Sequence, residues 1–157
     1  DAVKLENYKN NFKIIKYLVQ RKIPVMGHIG YTPQFKKRFK LEGESNYEKQ
    51  NLLREAKLIE NAGAFAIVLE CLSSNAAKII TNEIKIPTIG IGSSLYCDGQ
   101  ILVTDDMLGL SGFYPRFVKK YQNLDRIIDK AIKKYTRDVK LSKFPSKKNI
   151  LNGTKLR

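Results

Sequence analysis

Short apolar runs that alternate with amphipathic stretches, and that stop on polar or glycine residues, predict an α/β protein built on a parallel sheet. Three runs carry this expectation: 23–28 ending at His28, 64–70 ending at Glu70, and 86–92 ending at Gly92. Each is bounded by Pro or Gly and is rich in Ile, Val, Ala or Leu, as strands covered on both faces are.

The elements follow in chain order. Residues 3–6 are read as extended, so Lys4 and Glu6, two apart, share a face. In 7–20, Phe12, Ile15, Leu18 and Val19 fall at helical spacing, and Arg21-Lys22 closes the segment before Pro24. The strand 23–28 leads into a loop over 30–43, which contains Thr32-Pro33 and the basic cluster Lys36, Lys37, Arg38 and Lys40. An amphipathic helix is expected over 46–62 from Leu52, Leu53, Ala56, Leu58 and Ile59, with Gly63 as its stop.

After the strand 64–70, Ser73-Ser74 is placed to cap a helix that runs to about Ile84. The strand 86–92 ends in small residues that let a ligand approach the backbone. A short strand over 101–103 and helices over 113–121 and 124–135 complete the series, and periodicity is lost over 141–157, a basic tail.

No glycine-rich dinucleotide loop follows the first strand, and the polar residues gather at strand ends. Both favour a barrel over an open doubly wound sheet. An eight-stranded barrel typically needs about 250 residues, so this chain of 157 is expected to form the C-terminal portion of a (β/α)8 barrel over 1–140, lacking its N-terminal strands.

Composition narrows the function classes. The hydrophobic share of 43% suits a globular core. No apolar run approaches the roughly 20 residues that span a bilayer, and no leader pattern opens the chain, which predicts a soluble cytoplasmic protein. Cys71 and Cys97 form no CxxC pair and read as two reduced, buried thiols. The formal charge of +14 raises nucleic acid as a partner. The positive residues are mostly scattered lysines outside any recognised binding signature, so solvated surface and attraction for anionic substrates are the preferred reading.

Beyond composition, the ordered segments Val3-Lys4-Leu5-Glu6, Pro24-Val25-Met26-Gly27-His28-Ile29-Gly30-Tyr31-Thr32-Pro33-Gln34 and Ala62 through Cys71 resemble the ketopantoate hydroxymethyltransferase family. The resemblance continues through Ile86–Gly92, Cys97–Val103, Asp106-Met107-Leu108-Gly109 and Pro115-Arg116-Phe117-Val118, and so covers roughly Asp1 to Tyr135.

It implies a (β/α)8 barrel, assembled as a decamer, that uses Mg2+ and the co-substrate 5,10-methylenetetrahydrofolate. The implied reaction hydroxymethylates the 2-oxo acid 3-methyl-2-oxobutanoate to 2-dehydropantoate, a step toward pantothenate. The implied site residues are Glu70 as proton acceptor, Lys4 on the oxo acid, Glu6 in the metal shell and His28 at its border. The family's two metal-binding aspartates and its substrate-binding serine have no counterpart in this sequence.

Carbon–carbon bond formation next to a ketone requires a base, and a cation for the developing enolate, so these residue types suit the chemistry. Other readings stay open: Glu70 as a strand-end cap, Lys4 and Glu6 as a solvated pair, and His28 as a packed neutral ring. Asp98 and Asp106 stand between substrate contact and turn formation, with the turn preferred. A magnesium-dependent 2-oxo-acid lyase barrel and a non-catalytic basic binding module are the alternative functions. Three departures from the family pattern stand out: Asn7-Tyr8 where paired glycines are common, the basic 35–40 where a glycine-containing loop is usual, and Ser93-Ser94 after Ile89–Gly92.

Overall fold

A computed structural model describes residues 1–9 and 11–150. The chain divides into two compact units, Asp1–Leu102 and Val103–Arg157.

The first unit is a five-stranded parallel sheet in the order β1-β2-β3-β4-β5. Its strands are β1 (Val3–Glu6), β2 (Val25–Gly30), β3 (Ala66–Glu70), β4 (Thr88–Ile91) and β5 (Gly99–Gln100). Every strand lies beside its successor in sequence, which is the winding of a barrel segment. A doubly wound sheet would reverse its order at a switch point. The expected class, an α/β partial barrel, is therefore what forms.

Helices α1 (Phe12–Gln20), α2 (Asn46–Asn61) and α3 (Ser74–Glu83) cover one face of the sheet. Ile15 from α1, Leu52, Ala56 and Ile59 from α2, and Ala77 and Ile80 from α3 form one core with Val25, Ile29, Ile67 and Leu69. In β2 and β3 the core residues alternate with those of the other face, so Met26, His28 and Gly30 align with Ala66, Val68 and Glu70.

Local chemistry fixes the helix ends. At the start of α2, Ser45 Oγ accepts from the Glu48 amide at 3.2 Å, and the Glu48 carboxylate accepts from the Ser45 amide at 3.3 Å. Lys40 donates to the same carboxylate at 3.2 Å, and together these bonds hold Glu48 below the usual carboxylate range. Ala62 is the C-cap of α2, and Gly63 follows in the left-handed region at φ 92°. A side chain there would meet Val19 Cγ1 at 2.8 Å, so the expected stop serves packing as well. Ser73 caps α3 by accepting from the Ala76 amide at 3.3 Å.

Two expected elements, a strand over 101–103 and a helix over 113–121, do not form. The fifth strand is Gly99–Gln100 rather than 101–103. Asp98 accepts from Thr88 N at 2.8 Å and from Thr88 Oγ1 at 2.9 Å, which starts pairing early, and Val103 already caps the following helix α4 (Thr104–Leu108). No helix forms over 113–121 either. Gly109 and Gly112 adopt φ 78° and 73°. The segment holds a turn closed by Val118 N to Pro115 O at 2.9 Å, and Tyr121 N bonds Met107 O at 2.8 Å. The predicted helix 7–20 also begins later, at Phe12.

In the second unit, α5 (Leu124–Lys140) outlasts the predicted 124–135 by more than a turn. A short 3-10 helix, Lys147–Asn149, follows it, and the rest of the predicted tail, 151–157, lies outside the described residues. Among the described residues no helix is long and apolar enough to cross a membrane.

Candidate active site at the C-terminal strand ends

Parallel register brings four predicted residues together. Glu6 pairs with His28 across β1 and β2, and Gly30 pairs with Glu70 across β2 and β3. Gly30 has φ 93°, and a Cβ there would lie 2.1 Å from the Glu70 carbonyl oxygen. Its bare Cα therefore lets the chain turn beside Glu70, with Tyr31 N bonded to Glu70 O at 2.9 Å.

The side chains form a connected series. Lys4 Nζ lies 3.0 Å from His28 Nδ1 and 3.7 Å from Glu6 Oε1. Glu6 Oε1 is 3.9 Å from His28 Nδ1, and Glu6 Oε2 accepts from the Gln34 amide at 3.1 Å. His28 Nε2 lies 3.2 Å from Glu70 Oε2. That separation is within ion-pair reach, yet the ring N–H is not aligned on the carboxylate, and Nε2 has no hydrogen-bond partner among the described residues. The distance describes which groups face one another, and the missing alignment shows that the contact is not closed.

Burial makes these contacts consequential. Glu6 is 5% exposed and His28 1%. The Glu70 side chain keeps 14% exposure and that of Lys4 48%. A buried acid and a buried imidazole thus sit behind two groups that reach the open side. Two other buried polar atoms, Asn7 Oδ1 and Thr32 Oγ1, also lack partners among the described residues. They follow β1 and β2 directly, so unpaired polar atoms gather at one rim, as expected where a ligand is received. The sequence marked that rim only through the motif carrying Thr32 and Gln34. Asn7 carries no functional signal in the sequence.

The remaining candidates take structural places. Asp98 anchors Thr88, and those bonds hold its carboxyl below the usual aspartate range. Asp106 accepts from Ser111 Oγ within a turn. Ser93 Oγ donates to Leu69 O at 2.6 Å and accepts from Leu72 N at 3.1 Å, and Ser94 Oγ lies 3.0 Å from Ser74 Oγ. Both hydroxyls thus bond protein groups around the end of β3. Cys71, next to Glu70, is buried, and burial together with the Glu70 and Glu42 charges pushes its thiol up to about 12. A thiol held protonated is a poor nucleophile.

The two departures near the rim meet each other. Tyr8 and Phe35 stack with ring centroids 4.2 Å apart and planes 3° from parallel, while Tyr31 packs on Phe39 at 4.3 Å. Lys36 turns inward to donate to Gly30 O at 2.9 Å and pairs with Glu42. The loop that supplies Gln34 N to Glu6 is thereby tied to both β1 and β2. A cavity of about 270 Å³ lies under it, lined in part by Asn7, Tyr8, Lys36, Glu42 and Glu55.

As a cation site the set is partial. Among the described residues no group of three His, Cys, Asp or Glu side chains is arranged to hold a metal. Glu6 nevertheless fits as one ligand of a hard cation: it is a buried carboxylate whose Oε2 is fixed by an amide, while Oε1, among the described residues, has only the longer contacts to Lys4 and His28.

Comparison with known proteins bears on the whole segment. A family model described as ketopantoate hydroxymethyltransferase matches residues 1–147. A relative named 3-methyl-2-oxobutanoate hydroxymethyltransferase from Pelagibacter ubique (strain HTCC1062) is 52% identical over 149 residues, covering 95% of this chain and 58% of its own length. Relatives of the same name from Francisella tularensis subsp. tularensis (strain SCHU S4 / Schu 4) and Sulfolobus acidocaldarius are 49% and 48% identical over 152 residues. They cover 94% and 95% of this chain, and 58% and 57% of their own lengths. The chain thus spans less than two thirds of the length of these relatives.

Proposed function

The chain belongs to the ketopantoate hydroxymethyltransferase family, and from that premise we propose that its strand-end cluster is the base and substrate-facing part of a hydroxymethyltransferase site. The observation that carries the reading is the convergence of Lys4, Glu6, His28 and Glu70 on one face of three adjacent strands, with Glu6 and His28 buried and Lys4 and Glu70 open.

The substrate is 3-methyl-2-oxobutanoate and the one-carbon donor 5,10-methylenetetrahydrofolate, with 2-dehydropantoate as product. Lys4 Nζ carries three donors. One faces His28 Nδ1 and one faces Glu6, which leaves the third for the carboxylate of an oxo acid. Glu70 takes the proton from the carbon next to the ketone and the C–H electron pair passes toward the keto oxygen; that carbon then bonds to the methylene carbon of the donor as one of its C–N bonds breaks, and water replaces the second C–N bond, supplying the hydroxyl while the two nitrogens keep their electron pairs, take up protons and leave as tetrahydrofolate. A carboxylate with 14% of its side chain exposed is reachable by substrate and only thinly solvated, as this role requires.

Glu6 would hold Mg2+ as one ligand, and the ion when bound would supply a positive charge for the developing negative charge on the keto oxygen. Its other protein ligands would come from outside the described residues. The protein acts in the cytoplasm as a homo-oligomer, with a decamer as the family assembly.

The test is turnover by a polypeptide that spans the full family length. Glu70→Gln should lower kcat at least about 10²-fold and leave the thermal midpoint within a few degrees. An unaltered rate overturns the assignment of the base.

A further inference from the structure

The contacts of His28 contain more than membership of the site. An ammonium has donors and no acceptor, so the 3.0 Å contact from Lys4 Nζ requires His28 Nδ1 to be the unprotonated, accepting nitrogen. A second proton on the ring would put an N–H in the face of that ammonium. The ring is then the neutral tautomer, with its one proton on Nε2. That proton lies on a nitrogen of a side chain 1% exposed, without an aligned partner and 3.2 Å from Glu70 Oε2.

Of the charged groups around the ring, Lys4 and Glu6 lie on the Nδ1 side and Glu70 on the Nε2 side. The imidazole therefore stands between the lysine and the carboxylate. The terminal torsion of a glutamate is broad, so a modest turn of the Glu70 carboxylate would align it on the donor. Contacts of this kind commonly tighten when substrate binds.

We propose that Lys4 sets His28 as a neutral Nε2–H donor whose purpose is to hold Glu70, which makes His28 the positioning residue of the base. This rests on the reading of Glu70 given above, but its first test does not use turnover. The bond leaves one carboxylate oxygen directed to the substrate and couples the oxo-acid contact at Lys4 to the orientation of the base through a single ring.

The sequence contains one histidine, so the chain labelled with nitrogen-15 histidine gives a long-range proton–nitrogen spectrum with one ring to interpret. The expected spectrum shows Nε2 protonated and Nδ1 bare. Lys4→Met should release this preference into a mixture of tautomers. Glu70→Gln should keep the tautomer but move the Nε2 proton upfield and quicken its exchange with water. A ring protonated on Nδ1, or an Nε2 proton indifferent to Glu70→Gln, overturns the proposal.

In turnover, His28→Leu should lower kcat by about 10²-fold, the scale of a misplaced reacting group, with KM nearly unchanged. His28→Gln should recover at least tenfold of that loss, because its amide carries both an acceptor for Lys4 and a donor for Glu70. Equal loss in both variants would overturn the positioning role. Failure of Glu70→Gln to affect turnover would remove the base assignment while leaving the tautomer result standing, so the two failures are distinguishable.

Discussion

Unit Asp1–Leu102 and α5 of the second unit obey the same helical periodicity with opposite outcomes. In the first, Ile15, Ile59, Ile67, Leu69 and Ile80 are fully buried against one another. In α5, no residue is buried, and Ile127, Ile128, Ile132, Tyr135 and Val139 stand 44% to 59% exposed. The pattern of apolar residues thus records which face a helix offers, and burial depends on what is available to meet it. Within its own unit, among the described residues, α5 has one i,i+4 ion pair, Asp129 with Lys133 at 2.8 Å, worth only a few tenths of a kcal/mol, and one edge-on ring contact, Tyr135 with Phe144 at 5.5 Å. An open hollow along it is lined by Ile127, Ala131 and four basic side chains, and includes none of the carboxylates or the imidazole that make the strand-end site.

Substitutions can break this contrast or sharpen it. The largest effect is expected from Gly30→Ala, which forces a side chain onto the Glu70 carbonyl at a left-handed position. It should destabilise by roughly 4 kcal/mol or more in denaturant unfolding. Ile67→Ala, at 0% exposure, should cost about 3 kcal/mol by the same measurement.

Asp98→Asn should cost about 1 kcal/mol at neutral pH and flatten the acid limb of the stability curve. The sign follows from the lowered carboxyl. Its contribution is complete above the ordinary aspartate value of 3.8 and is lost as pH falls through the lower folded value. Ile132→Ala, at 59% exposure, should change stability by less than about 0.5 kcal/mol. A loss above about 1.5 kcal/mol would mean that the α5 stripe is covered, and the contrast would fall.

The strand end at Glu70 was legible because its apolar run stops there, whereas β2 runs two residues past the expected end at His28, to Gly30. Their meeting was not legible. It depends on register, which places Glu6 beside His28 and Gly30 beside Glu70, and register is set by pairing between distant segments. The helix expected over 113–121 failed because side-chain spacing there is helical while the backbone is governed by Gly109, Gly112 and Pro115. The strand expected over 101–103 was displaced by the Asp98–Thr88 bonds, a contact ten residues apart that periodicity does not contain. The contact of Lys4 with the His28 ring was equally hidden, since it needs the side-chain direction as well as the motif.

The Tyr8–Phe35 stack makes two distant segments depend on each other. Even when stacked, the two residues stay partly exposed, Tyr8 at 40% and Phe35 at 41%. Removing either alone opens the remaining aromatic face to water within two residues of Glu6 or one of Gln34. A change to glycine at either position alone would therefore leave the partner ring without its stack. The contact ties together two positions that have 26 residues between them in the chain.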